Sequence, residues 1–353
     1  MRLIVTGGGT GGHVYPALEV ARTAAERGYE LLYLGSNRGQ EGKLCEARGF
    51  LFKGFPSEPL WSLKTLKGWK ALSRLIKARR LAKRYVAASK ADIIFSTGGY
   101  SAAPILSAAR SLKVPYVIHE SNSVPGRTNR MFGKAASAFL SVFRTTERFY
   151  TDRPVLRVGQ PIRKELRTAA ARDRIEDSVL LVLGGSQGSA YLNEAVPVAV
   201  KESGFGGRVI HASGPNHFAE TQARVKGLGL NHYEVSPYLE TEEITAAYCQ
   251  ARLVVCRSGG TLAELALFRL PSVLVPLPTS ADQHQLHNAK EFENLGAASV
   301  TEQEKEPFPA TAAAISHWWN DESARNSAAE KLGEWDIPDA TERILGQIEA
   351  AAR

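Results

Sequence analysis

The chain has 353 residues, a formal net charge of +8 and 44% hydrophobic residues. That length allows two domains, each with its own core, and no apolar run approaches the roughly 20 residues that a membrane-spanning helix needs. The chain enters a strand directly, so no signal peptide is expected, and Cys45, Cys249 and Cys256 lack metal-ligand spacing and suit a reducing cytoplasm.

Arg2-Leu3-Ile4-Val5-Thr6 reads as a buried strand, too short for a helix. Gly7-Gly8-Gly9-Thr10-Gly11-Gly12 follows. Residues 14–27 then read as a helix, with Val14, Leu18 and Ala21 on one face and Pro16 in its first turn. Strand, glycine loop and helix N-terminus make a ready anion site: no side chain keeps a phosphate away, and unpaired N–H groups face it. His13 stands at its mouth and is the first residue there able to move a proton near neutral pH. Gly7, Gly9 and Gly12 also spell a dinucleotide fingerprint, which requires an acid at the end of the second strand. That strand, 30–34, carries Glu30 at its start instead, which counts against NAD. A tight turn alone needs fewer glycines than this.

Residues 59–91 contain no acid. Lys64, Lys67, Lys70, Arg74, Lys77, Arg79, Arg80, Lys83, Arg84 and Lys90 alternate with Leu60, Trp61, Leu63, Leu66, Trp69, Leu72, Leu75, Ile76 and Leu81 at mostly helical spacing. A basic amphipathic segment with tryptophans near its start suits an anionic lipid surface. The plain alternative is a solvated helix face, and no motif supports nucleic acid.

Residues 91–96 form a strand that runs into Thr97-Gly98-Gly99-Tyr100-Ser101, with a helix from about Ala102. Residues 114–118 form another strand, with His119-Glu120-Ser121-Asn122 at its end. The carboxyl ends of strands line the ligand crevice of open α/β sheets, so His119, Glu120 and Asn122 are expected to face ligand with His13. Otherwise they cap the next helix or satisfy buried backbone. Strands at 135–142 and 155–158 precede Gly159-Gln160-Pro161-Ile162-Arg163, which reads as an interdomain linker.

The pattern then restarts. A strand at 178–183 leads into Gly184-Gly185-Ser186-Gln187-Gly188 and a helix from Tyr191 to Lys201. Leu253-Val254-Val255-Cys256 leads into Arg257-Ser258-Gly259-Gly260-Thr261, with Glu264 one helical turn on. A carboxylate there can accept two ribose hydroxyls or simply complement the helix dipole. After a strand at 272–276 comes Asp282-Gln283-His284-Gln285-Leu286-His287-Asn288, rich in groups that hydrogen-bond a sugar. The chain beyond about Ala310 is helical without an evident site. The predicted fold is α/β, with two Rossmann-like domains whose parallel sheets face across a cleft, split at 1–158 and 159–353, and a final helix free to pack back on the first.

In order along the chain, Gly8-Gly9-Thr10-Gly11-Gly12-His13 with Pro16, Gly98-Gly99-Tyr100 with Pro104, His119-Glu120-Ser121-Asn122, Gly159-Gln160-Pro161-Ile162-Arg163, Gly184-Gly185-Ser186-Gln187-Gly188, Cys256-Arg257-Ser258-Gly259 with Glu264, and His284-Gln285 with Asn288-Ala289 resemble the MurG family of glycosyltransferase family 28. The resemblance spans residues 1 to about 300. Ser121 stands where the family usually has Gln, and Gln160 where it has Asn.

The resemblance implies a GT-B fold. It also implies inverting transfer of N-acetylglucosamine (GlcNAc) from UDP-GlcNAc to the C4 hydroxyl of the muramyl sugar of lipid I, forming lipid II for peptidoglycan. The N-terminal domain would face the lipid acceptor and the C-terminal domain would hold the nucleotide sugar. His13 would be the general base, with an unperturbed histidine pKa of about 6.5. Thr10, Gly11 and Gly12 would lie at the sugar and diphosphate, Asn122 and Gln285 at the GlcNAc, and Ser186 at the diphosphate. Arg163 and the backbone near Leu239 would serve the uridine, Glu264 the ribose, and Thr261, Leu262 and Ala263 would line the donor. The sequence has no Asp-x-Asp pair, so no cofactor and metal-independent transfer are expected. The enzyme would sit peripherally on the cytoplasmic membrane face through residues 59–91, within reach of a cell-wall synthesis complex. Another GT-B enzyme such as a UDP-GlcNAc 2-epimerase, or a non-catalytic nucleotide-sugar sensor, is the alternative.

Overall fold

A computed structural model of the chain describes residues 1–9, 11–57, 66–171, 178–303 and 308–353, with the side chains of 66–73 and 75 outside the description. Thr10 and the start of the basic segment, including Leu60, Trp61, Leu63 and Lys64, thus lie outside the described residues. The chain forms two compact units, Met1–Arg163 with Asp339–Arg353, and Lys164–Pro338.

The first unit opens with β1 (Arg2–Thr6), α1 (Gly11–Glu26), β2 (Glu30–Ser36), α2 (Glu41–Glu46), β3 (Phe52–Phe55) and α3 (Leu66–Ser89). It continues with β4 (Ile93–Ser96), α4 (Ala103–Leu112), β5 (Tyr116–Glu120), α5 (Arg127–Gly133), β6 (Ala138–Ser141) and β7 (Leu156–Arg157). The sheet is parallel, in the order β3-β2-β1-β4-β5-β6-β7. Strand order reverses between β1 and β4, so the loops after these two strands leave the switch point where open α/β sheets bind ligands.

Alternate residues of β1 serve opposite faces. Leu3 and Val5 pack with Val14, Leu18, Ile344 and Ile348. Ile4 packs with Ala78, Ala82, Ile105 and Leu106 on the other side. Burial on both faces explains why the strand is apolar throughout rather than alternating.

The second unit runs through α6 (Lys164–Ala170), β8 (Val179–Leu183), α7 (Ala190–Glu202), β9 (Arg208–Ala212), α8 (Phe218–Gly227), β10 (Tyr233–Ser236) and α9 (Thr241–Gln250). It ends with β11 (Ala251–Cys256), α10 (Thr261–Leu267), β12 (Ser272–Leu274), α11 (His284–Asn294), β13 (Ala298–Val300), α12 (Pro309–Asn320) and α13 (Glu322–Trp335). Its parallel sheet is ordered β10-β9-β8-β11-β12-β13, with the switch between β8 and β11.

The last helix, α14 (Ala340–Ala352), packs on the first unit. Ile344, Leu345 and Ile348 are fully buried there. Arg27 pairs with Glu342 and, at 3.1 Å, with Glu349. Surface pairs contribute roughly 0–1 kcal/mol each, while each buried aliphatic side chain contributes about 1.5–3 kcal/mol. Burial therefore holds this helix.

Several boundaries differ from the sequence expectations. The first helix begins at Gly11 rather than 14, so Pro16 lies in its interior and withholds the N–H that would bond to the Gly12 carbonyl. β5 ends at Glu120 rather than 118, which carries His119 and Glu120 into the sheet. β6 and β7 are shorter than expected. Residues 159–163 stay with the first unit, because the Gly159 N–H bonds to Ser141 O at 3.3 Å and its carbonyl accepts from His119 at 2.9 Å.

Candidate functional site

In the first unit, two glycine-rich loops meet at the switch point. The Gly8 N–H donates to the Gly98 carbonyl at 3.4 Å. A Cβ on Gly99 would fall 2.1 Å from Gly8 O and 3.3 Å from His13 Cδ2, and Gly99 also needs its φ of 84°. Only glycine allows this approach of backbone to backbone. The contact presses the 97–101 loop directly against His13.

His13 is half-buried in the first turn of α1. Its Nδ1 lies 2.9 Å from Thr97 O, and the Thr97 hydroxyl donates to His13 O at 2.7 Å. A carbonyl only accepts, so Nδ1 carries the proton and Nε2 is the basic nitrogen. The sequence singled out His13, but not Thr97, as the group that sets its tautomer and ring orientation.

His119 and Glu120 are fully buried, correcting the expectation that they face ligand. His119 Nε2–H donates to Gly159 O at 2.9 Å, and burial pulls its pKa down to about 4, so it is neutral. The Glu120 carboxylate accepts from the Asn122 N–H at 2.9 Å, Asn122 Nδ2 at 3.1 Å, the Gly126 N–H at 2.9 Å and Asn129 Nδ2 at 2.8 Å. Both residues satisfy local donors and acceptors, which is the alternative that the sequence left open. Glu120 thereby fixes Asn122, which is half-buried and also accepts from the Thr146 hydroxyl at 3.2 Å. Asn129 in turn packs its amide on Gly98. Arg163 places its guanidinium over the Tyr15 ring at 5.6 Å, within this unit.

In the second unit, β8 delivers the chain into the 184–188 loop. Gly188 has φ 78°, and a Cβ there would fall 1.9 Å from Ser213 O. The loop is thus closed on the turn after β9, to which Asn193 Nδ2 also donates at 2.9 Å through Ser213 O. Ser189 caps α7 by accepting from the Leu192 N–H at 3.3 Å. Ser186 is exposed at the tip of this loop, ahead of the helix N-terminus.

The loop after β11 supplies the other half. The Ser258 hydroxyl donates to Gln285 O at 2.7 Å, and Asn288 Nδ2 donates to Ser258 O at 3.0 Å. Gln285 Oε1 accepts from the Leu277 N–H at 2.9 Å. Arg257 Nη1 donates to Val275 O at 2.9 Å and Pro276 O at 3.2 Å. These bonds join the loops at the carboxyl ends of β11 and β12 to the start of α11. They hold the turn into α11, where Asp282 and Gln283 take φ of 50° and 52°. Non-glycine residues in that region cost roughly 1–3 kcal/mol each, so the anchors must outweigh that strain.

Glu264 lies one turn into α10, half-buried, and its Oε2 accepts from the Tyr248 hydroxyl at 2.7 Å. Tyr248 is a partner that the sequence did not reveal. Thr261 is half-buried, but Leu262 and Ala263 turn their side chains into the core, leaving only backbone for a ligand. Leu239 is half-buried in the loop between β10 and α9.

Residues 3–141 match the glycosyltransferase family 28 N-terminal domain, and residues 179–344 match the family 28 C-terminal domain. A Symbiobacterium thermophilum protein named UDP-N-acetylglucosamine–N-acetylmuramyl-(pentapeptide) pyrophosphoryl-undecaprenol N-acetylglucosamine transferase is 35% identical, covering 100% of this chain and 97% of that protein. The crystal structure of Acinetobacter baumannii MurG superposes with a TM-score of 0.81 at 27% identity, covering 99% of both chains. UDP-GlcNAc 2-epimerase from Neisseria meningitidis gives a TM-score of 0.69 at 11% identity, over 99% of this chain and 100% of the other, a likeness of fold alone. The relatives match from end to end, and both family domains occur in order. The chain belongs to glycosyltransferase family 28 and, within it, to the MurG family of N-acetylglucosamine transferases.

Proposed function

We propose that this enzyme transfers GlcNAc from UDP-GlcNAc to the C4 hydroxyl of the muramyl sugar of undecaprenyl-pyrophosphoryl-MurNAc-pentapeptide (lipid I), with inversion, giving lipid II. The His13–Thr97 clamp is the observation that carries the reading, beside full-length kinship with transferases of that name. His13 Nε2 takes the C4 proton as that oxygen attacks the anomeric carbon, and UDP leaves with the electrons of the broken bond. A positioned base of this kind contributes about 10²–10⁴-fold. The 184–188 loop, Ser186 and the N-terminus of α7 stabilise the departing diphosphate without rearranging. Glu264 accepts the ribose hydroxyls, and the backbone of 261–263 lines the donor. Gln285 and Asn122 hold the sugar, while Arg163 and the backbone at Leu239 serve the uridine. Thr10, Gly11 and Gly12 complete the sugar and diphosphate end. No step calls for a metal.

Membrane contact belongs to the same reading. In the described part of α3, Ala78, Ala82 and Val86 are buried, while Ile76, Lys77, Arg79, Arg80, Lys83 and Arg84 are exposed. Each cation near an anionic surface adds about 1 kcal/mol, which supports peripheral docking on the cytoplasmic membrane face. Among the described residues no helix is long and apolar enough to cross a membrane.

The test is transfer of labelled GlcNAc from UDP-GlcNAc to a short-chain lipid I analogue with EDTA present. A β-1,4-linked product is expected. UDP-GlcNAc binding without product would overturn the acceptor assignment.

A further inference from the structure

Helices α7 and α8 pack against each other within the second unit and leave a cavity between them. Asn193 and Glu194 line it from α7, and His217, Glu220, Thr221 and Arg224 from the start of α8. Its empty volume, mouth included, is about 340 Å³, the small end of the roughly 300–1,000 Å³ of ligand pockets. Asn193 is 5% exposed. Its Nδ2 donates to Ser213 O at 2.9 Å, and its Oδ1 has no hydrogen-bond partner. A carbonyl only accepts, so Ser213 O fixes which end of the amide is left over. The Thr221 hydroxyl does not serve that oxygen, because it donates to His217 O at 2.8 Å. A buried acceptor without a donor is costly, and this one belongs to a residue that borders a cavity.

The walls carry both signs of charge. Glu194 and Glu220 are exposed and Arg224 is half-buried. Glu220 and Arg224 stand at i, i+4, where opposite charges usually pair on a helix. Among the described residues, no ion pair joins Arg224 to either carboxylate. No three His, Cys, Asp or Glu side chains among the described residues converge on a metal position, so the carboxylates do not share a point cation. A simple anion meets two carboxylates beside its one guanidinium, which disfavours it. The matching ligand carries both charges: an ammonium for Glu194, Glu220 and Asn193 Oδ1, and a carboxylate for Arg224. Side chains at i, i+4 leave a helix about 5–6 Å apart, so charges on neighbouring carbons of one small molecule can meet Glu220 and Arg224 together.

We propose that the cavity between α7 and α8 binds a free α-amino acid as its zwitterion. The ammonium donates to Asn193 Oδ1 and faces the two glutamates, and the carboxylate accepts from the Arg224 guanidinium. The site uses no side chain assigned above to donor or acceptor, so it stands or falls apart from the transferase reading.

The experiment titrates the full chain with alanine by calorimetry, and follows the side-chain amide signal of Asn193 by NMR in isotope-labelled protein. Two analogues each lack one charge: N-acetylalanine has no ammonium, and alaninamide has no carboxylate. Alanine is expected to bind saturably with a Kd below about 1 mM and to shift the Asn193 signal. Each analogue should bind at least about tenfold more weakly, having lost one charge-assisted contact. Arg224→Gln should weaken alanine about tenfold and leave alaninamide unchanged. Absence of saturable binding, the sign of a merely hydrated crevice, overturns the inference. So does binding of either analogue as tight as alanine, or alanine binding that leaves the Asn193 signal unmoved or is indifferent to Arg224→Gln. Should Arg224→Gln not fold, the analogue series and the Asn193 signal in the unsubstituted protein decide.

Discussion

His13 and Thr97 hold each other by two hydrogen bonds: His13 Nδ1–H to Thr97 O at 2.9 Å, and Thr97 Oγ1–H to His13 O at 2.7 Å. The first bond sets the tautomer and the second ties the first turn of α1 to the end of β4. Thr97→Val keeps the carbonyl and removes the hydroxyl. Losing one such bond costs about 1 kcal/mol, so kcat should fall roughly fivefold, with the donor KM unchanged. Thr97→Ser should restore it. Steady-state kinetics of the two variants check this.

Tyr248 orients Glu264 through the 2.7 Å bond to Oε2. Tyr248→Phe frees that carboxylate to take other rotamers, so the KM for UDP-GlcNAc should rise about three- to tenfold with kcat little changed. An equal fall in kcat and kcat/KM would instead place the bond in the transition state.

Glu120 is the acceptor for four N–H groups from Asn122, Gly126 and Asn129. Glu120→Ala leaves buried donors unpaired and should lower unfolding stability by about 2–4 kcal/mol. Urea titration would show it, and a loss under about 0.5 kcal/mol, the range of a neutral surface change, would contradict the packing described.

Stability should fall with acidification through His119. Its folded pKa of about 4 lies below the unfolded value of about 6.5, so the unfolded chain binds the proton first. The neutral-state contribution is therefore complete above about pH 6.5 and is lost as pH drops from there towards 4, by an amount on the order of 3 kcal/mol. His211, buried with a pKa near 3, acts in the same direction in the second unit. Denaturant midpoints at pH 7 and pH 5 test this. His119→Gln should flatten the part of the slope that His119 supplies.

The strands and glycine loops were legible in the sequence because both are local. Val5 and Thr6 run into three glycines, and Leu183 into two, so period and turn chemistry sit side by side. His119 and Glu120 were misread for a physical reason. A polar His-Glu pair looks like the end of a strand, yet β5 extends through it, because the Gly159 carbonyl and the N–H groups of 122–129 supply partners that make burial tolerable. The contacts that tune the site, Thr97 on His13, Tyr248 on Glu264 and Ser258 on Gln285, join residues 16 to 84 positions apart. No spacing rule reaches that far. Leu262 and Ala263 illustrate the converse: their place beside Glu264 was legible, but not that their side chains belong to the core.

The most direct measurement is the single-turnover rate of GlcNAc transfer to a lipid I analogue by His13→Ala against the unsubstituted enzyme, with the UDP-GlcNAc Kd measured on the same samples. A base held by Thr97 predicts a rate lower by about 10²–10⁴-fold and an unchanged donor Kd. A near-normal rate, or a rate loss accounted for by weakened donor binding, would contradict it.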